Sequence, residues 1–206
     1  MKHVAEKLLE IGAVKLSPKE PFTWASGWKS PIYCDNRKAL SDIDTRDIIV
    51  EGLTDVCDSA FDEADVIVGV ATGAIAWGAM VANDYELPFA YVRSKAKDHG
   101  LGNQIEGVVN PGDKVIVVED LISTGGSSLA AVEALRAAGA EVVGMAAIFT
   151  YGFEKARKAF AEAKCPLYTL TDYNELLELA EEQGLFGAEE KELLAQWRLS
   201  PDTWGK

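Results

Sequence analysis

The chain has 206 residues and 48% of them are hydrophobic, enough for the core of one domain with a small appended lobe. Its formal net charge of −13 argues against nonspecific nucleic-acid binding, which needs a basic surface. The cysteines, Cys34, Cys57 and Cys165, are scattered without metal-ligand spacing and suit a reducing cytoplasm, and no stretch reads as a signal peptide or membrane span. An anionic ligand would therefore depend on a local cluster of cations.

Residues 2 to 13 carry Val4, Leu8 and Ile11 on one helical face, and Pro18 and Pro21 end that pattern. Phe22-Thr23-Trp24 and Ile32-Tyr33-Cys34 are expected as two short strands, joined hairpin-like through Ser26 to Pro31. This segment gathers aromatics, hydroxyls and Lys29. Stacking of a flat heterocycle and packing of the aromatics into the core both fit it. Ser41-Asp42 through Ala60 reads as a helix with Ile48, Ile49, Leu53 and Val56 inward. Val66 to Val70 reads as a buried strand that runs into Ala71-Thr72-Gly73-Ala74 and then a helix to Ala82. That small loop fits either a backbone-lined anion site or close helix–sheet packing.

Phe89 to Val92 is a third strand, and it ends in cations: Arg93-Ser94-Lys95-Ala96-Lys97-Asp98-His99-Gly100. The segment continues through Leu101 to Gly107, and its glycines and polarity predict a mobile loop. In so acidic a chain, this cluster after a buried strand favours function over a merely solvated loop. Lys and Arg stabilise negative charge on a departing group, a histidine supplies a hydrogen bond or a proton, and a closing loop excludes water.

Val115 to Ser128 reads VIVVEDLISTGGSS. Four β-branched residues suit a strand buried on both faces. Glu119 and Asp120 follow, then a hydroxyl- and glycine-rich turn, then helical spacing through Leu129, Val132 and Leu135. The turn's N–H groups and the helix N-terminus make an anion site, whereas the carboxylates suit ribose hydroxyls or a hydrated Mg²⁺. A phosphorylated ribose satisfies both ends. Ser127 stands where a Walker loop needs lysine, and the dinucleotide spacing of glycines is missing.

Beyond this motif, strands are expected at Val142 to Phe149 and Leu167 to Leu170, and helices at Glu154 to Ala163, from Asp172 to about Gln183, and at Ala188 to Trp197. The tail from Ser200 is expected to be loosely held, apart from Trp204. Alternating strands and helices predict a doubly wound parallel α/β sheet, whose ligands bind beyond the strands' carboxyl ends. Thr72, Arg93 and Glu119 to Ser128 all fall there.

VIVVEDLISTGGSS resembles the phosphoribosyl pyrophosphate (PRPP) motif of type I phosphoribosyltransferases. FTWASGWKSPIYCDNR is similar to the base-binding segment of the orotate-specific members, and YVRSKAKDHG to their catalytic loop. The resemblance covers most of the chain from Phe22 to Ser128. It implies one domain over residues 1–206, with a small hood from about 1–40 and part of the C-terminal region. The implied reaction joins orotate to the phosphoribosyl group of PRPP and releases pyrophosphate, in pyrimidine (UMP) biosynthesis.

The resemblance also implies roles. Leu121, Ile122, Ser123, Thr124, Gly125, Gly126 and Ser127 form the PRPP loop, with Ser123 also reaching orotate. Glu119 and Asp120 take the ribose hydroxyls, and Asp120 stabilises charge on the sugar. Thr72 lies on the pyrophosphate side, and Arg93, Lys97 and His99 grip pyrophosphate from a neighbouring subunit. Mg²⁺ arrives with PRPP, with no direct protein ligand. The implied protein is a cytoplasmic homodimer with no nucleic-acid or membrane partner. Ala25, Tyr33-Cys34, Gly73 and Ser94 depart from common family residues, so Lys29 and Arg37 are the candidates for orotate. A transferase for another base, or a non-enzymatic PRPP sensor, are the alternatives. The orotate-like N-terminus opposes the first. The cationic loop and the net charge oppose the second.

Overall fold

The buried β-branched runs set the architecture, seen in a computed structural model that describes residues 2–24, 26–61, 63–94 and 104–205. Six strands form the central sheet: β5 (Val66–Val70), β6 (Phe89–Val92), β7 (Ile105–Glu106), β8 (Lys114–Ile122), β9 (Glu141–Thr150) and β10 (Leu167–Asp172). Their order is β10-β9-β8-β5-β6-β7. Every pairing is parallel except that of the short β7, which runs antiparallel to β6.

Alternation along β8 shows why the run must be apolar throughout. Ile116 and Val118 enter the core on one face with Leu53 and Trp77, whereas Val115 and Val117 enter the opposite core with Val132 and Leu135. Period-2 side chains on a sheet covered twice make every position from Val115 to Val118 apolar. The covering helices are α1 (Lys2–Glu10), α2 (Ile43–Ala60), α3 (Ile75–Asp84), α4 (Gly126–Ala137), α5 (Glu154–Glu162), α6 (Tyr173–Glu182) and α7 (Ala188–Leu199). Asp42 caps α2 by accepting the Thr45 N–H, and Asp172 caps α6 by accepting from Asn174 and Glu175. No described helix is long and apolar enough to cross a membrane.

The N-terminal segment pairs differently from the expected hairpin. Here β2 (Phe22–Thr23) pairs with β3 (Lys29–Ser30), and β4 (Ile32–Cys34) pairs with β1 (Val14–Leu16), all antiparallel. Pro31, which has no N–H to donate, separates β3 from β4 and sends them to different partners. Trp24 turns inward, 4.9 Å from Tyr151 and 5.7 Å from Trp197 between ring centroids, so core packing accounts for this aromatic. The indole N–H of Trp197, in α7, donates to the Lys29 carbonyl at 3.1 Å and so ties the C-terminal helix to β3. Trp204 packs against the same core, as expected of the tail.

The chain leaves β5 outward to β6, then returns to place β8 on the other side of β5. The order therefore reverses between β5 and β8. In open α/β sheets the crevice beyond the carboxyl ends at such a point is where ligands bind.

Candidate active site

Two loops bound the crevice. One follows β5: Ala71 to Ala74, held by Ala71 N–H to Val92 O (2.8 Å) and Ala74 N–H to Val70 O (3.0 Å). Thr72 is exposed at its tip, and the Ala71–Thr72 peptide is cis. The other follows β8 and contains Ser123 and Thr124, both half-buried, and Gly125. Gly125 has φ +82°, and a Cβ there would come 2.9 Å from the Phe160 ring. Handedness and space both require glycine. No side chain caps α4, so the amides of its first turn remain available to an anion.

The two carboxylates differ. Glu119 is 5% exposed, and its oxygens accept the Ser128 hydroxyl (2.8 Å) and the Asp120 N–H (2.9 Å). Burial, reinforced by the charge of Asp120, pushes its carboxyl well above the usual carboxylate range. Burial also raises Asp120, opposed by its hydrogen bond with Glu119 and by the nearby Arg37 guanidinium. The Asp120 carboxylate lies against Gly73: a Cβ on Gly73 would come within 2.6 Å of Oδ1 and closer still to Cγ and Oδ2. The strand expected to end before the acidic pair runs on through it, and the loop after β5 and the acid near the end of β8 therefore meet, across the crevice, where residue 73 has no side chain.

The remaining sequence candidates distribute as follows. Leu121 and Ile122 continue β8 beside Phe149 and Thr150 of β9, with Ile122 buried, so what they present to the loop is backbone. Gly126 and Ser127 are exposed at the start of α4. Arg93 stands at the carboxyl end of β6, 3.6 Å from Glu106, with its N–H on the Gln104 carbonyl. Arg37 ion-pairs Asp35 at 2.7 Å, which holds the Asp35 carboxyl below its usual range. Lys29 donates to Thr23 Oγ1 at 2.8 Å on the exposed β2–β3 ladder. Lys97 and His99, like Ala25, lie outside the described residues.

Two buried polar residues of this site escaped sequence reading. Asn36 donates to the Asp120 carbonyl, and Ser128 to Glu119. Ser128 stood at the end of the motif's hydroxyl-rich turn, but nothing in the sequence marked it as the partner of Glu119. Asn36 follows a strand as part of Asp-Asn-Arg, which on its own looks like a turn.

A doubly wound sheet with an acidic pair and an uncapped glycine turn at its switch point defines a phosphoribosyl transferase domain, and the family model of that description matches residues 36–174. An orotate phosphoribosyltransferase of Bacillus caldolyticus is 56% identical over 206 residues, covering 100% of both chains. One of Porphyromonas gingivalis is 55% identical over 204 residues, 99% of this chain and 97% of its own. The crystal structure of orotate phosphoribosyltransferase from Aeropyrum pernix has a TM-score of 0.77 at 30% identity, over 89% of this chain and 99% of that one. The chain belongs to the phosphoribosyltransferase family and, within it, to the orotate phosphoribosyltransferases.

Proposed function

We propose that the chain transfers the 5-phosphoribosyl group of PRPP to orotate, giving orotidine 5′-monophosphate and pyrophosphate in pyrimidine nucleotide synthesis. The observation that carries this reading is the meeting of the Asp120 carboxylate, the uncapped turn before α4 and the Gly73 loop at one switch point. The amides and hydroxyls of Ser123 to Ser127 bind the 5-phosphate. Asp120, steadied through Glu119, accepts the ribose hydroxyls and offsets positive charge as the C1–oxygen bond to pyrophosphate breaks and the C1–nitrogen bond to the base forms. Thr72 and the backbone beside it bind on the pyrophosphate side. Arg93, Lys97 and His99 take the charge of the leaving group in a homodimer that shares the loop between subunits. Lys29 and Arg37 are the orotate candidates, Arg37 being the one electrostatically coupled to Asp120.

Among the described residues, no group of three or more His, Cys, Asp or Glu could hold a metal ion. Carboxylates nonetheless suit Mg²⁺, and the donor set here fits an ion that arrives on the diphosphate and meets at most Asp120. Bound there, Mg²⁺ would neutralise diphosphate charge. The protein is read as cytoplasmic and as one domain over 1–206, with residues 1–40 and part of the C-terminal region forming a hood. The Trp197–Lys29 hydrogen bond supports the hood.

The test is the loss of orotate's ultraviolet absorbance on adding PRPP and Mg²⁺, with uracil, hypoxanthine and adenine in parallel. Turnover with orotate alone is expected. Turnover with another base, or none with any, overturns the assignment.

A further inference from the structure

We infer that Asn36 is a positioning residue, holding the base-side N-terminal segment and the ribose-side acidic pair in one frame. The inference rests on the reading of Asp120 given above. Asn36 is a primary amide only 1% exposed, and both ends of it are used. Its Nδ2 donates to the backbone carbonyl of Asp120 at 2.6 Å, and its Oδ1 accepts the Cys34 thiol at 3.2 Å. A carbonyl can only accept, so the amide has one orientation.

The need for this bond follows from the topology. The last registered pair between β5 and β8 is Gly69 with Val118, yet β8 runs on to Ile122, paired there with β9 alone. Past Val118, the β5-facing edge of β8 lacks a strand, and this opening is the crevice itself. Asp120 lies in that stretch, and a part-buried carbonyl left there without a donor is costly. Asn36 supplies the donor, and it comes from the segment immediately after β4. Asp35 N–H to Ala13 O (2.9 Å) and Asp35 to Arg37 (2.7 Å) fix the turn on either side. The bond that closes the sheet's open edge is thus also the one that sets the distance between base-side and sugar-side residues. A transfer between two bound molecules depends on that distance more than on the affinity for either, because misplacement by about 1 Å can slow a reaction on the order of 100-fold.

The experiment compares Asn36→Ala with the parent enzyme and with Ile49→Val, a core truncation in α2 that destabilises without touching the crevice. Single-turnover rate, KM for orotate, KM for PRPP and melting temperature are measured for each. The expected result for Asn36→Ala is a rate at least ten-fold lower, with both KM values within about three-fold of the parent. Ile49→Val should lower the melting temperature and keep the parent rate. Should Asn36→Ala not fold, Asn36→Ser fills more of the site and is read in the same way. A rate less than ten-fold lower, or a loss that merely follows the folded fraction, overturns the inference. A parent enzyme that does not turn over orotate with PRPP overturns the underlying reading instead.

Discussion

Replacing Gly73 with alanine tests the crevice with one methyl group. The backbone permits the change, since Gly73 is not among the residues with positive φ. The consequence is therefore steric. The new Cβ would lie 2.6 Å from Asp120 Oδ1, with Cγ and Oδ2 nearer still, whereas ordinary contact begins at 3.4 Å. The carboxylate must retreat by about 1 Å to restore van der Waals contact. It cannot do so by moving its backbone, because Asn36 holds the Asp120 carbonyl and Glu119 holds its N–H. Rotation of the side chain out of the crevice remains. Overpacking of this kind costs about 1–3 kcal/mol, which lowers the melting temperature of a chain this size by about 2–12 °C. Displacing the group proposed to bind the ribose should cost more in rate than in stability, about 100-fold in kcat/KM. The assay is the initial rate of orotate absorbance loss at varied PRPP, with melting measured on the same sample. A folded Gly73→Ala enzyme within about three-fold of the parent would mean that Asp120 does not act from this position.

Gly126→Ala should behave oppositely, since a Cβ there meets nothing within 4 Å. Stability should hold or rise by up to about 1 kcal/mol, while KM for PRPP rises at least about five-fold as the methyl enters the anion's space; an unchanged KM would remove this turn from the phosphate site. Glu119→Gln tests the buried carboxyl. Because burial raises its pKa, the folded chain binds more protons than the unfolded chain above about pH 4.3, so the parent loses stability as pH rises from there. A shift of one pKa unit is worth about 1.4 kcal/mol, and the parent should lose at least that much relative to Glu119→Gln between pH 5 and 8 in denaturant titrations. Parallel stability curves would refute it. Lys97→Ala should lower kcat by about 100-fold at saturating substrates; unchanged turnover would remove the loop from catalysis.

The central strand was legible because a sheet covered on both faces forces a continuous apolar run, and that constraint is local to Val115–Val118. The glycine turn was legible for the same reason: φ +82° at Gly125 excludes most residues. Strand pairing was less so. Nothing in Ile32-Tyr33-Cys34 states that its partner is Val14–Leu16 rather than Phe22–Thr23, because two-residue and three-residue ladders carry too few side chains to specify a register. Asn36 lay beyond reach for a different reason. Its function is a bond across 84 positions to a carbonyl, and a carbonyl has no sequence signature. Gly73 is the most instructive case. In the sequence it reads only as a departure from a common family residue. In the structure it is the residue whose lack of a side chain leaves room for Asp120.

The electrostatics of the crevice follow from these placements. A chain of net charge −13 that binds a diphosphate must overcome its own field. The cations that the structure brings to the mouth do not do this alone: Arg37 is paired with Asp35 and Arg93 with Glu106. The buried acid softens the conflict, because burial pushes Glu119 up to about 8 and so lessens its negative charge at pH 7 while the crevice holds no ligand. Ribose hydroxyls and Mg²⁺ both favour the ionised carboxylate, so PRPP with its metal should drive protons off the pair as it binds. At pH 7, calorimetric titration of PRPP and Mg²⁺ in buffers of different ionisation enthalpy should therefore register net proton release. Glu119→Gln should reduce the release, since the carboxyl that burial raises to about 8 is gone. Heats that are identical across buffers would mean that the pair is already ionised in the free enzyme, and that the acidic chain meets its anionic substrate through the loop cations alone.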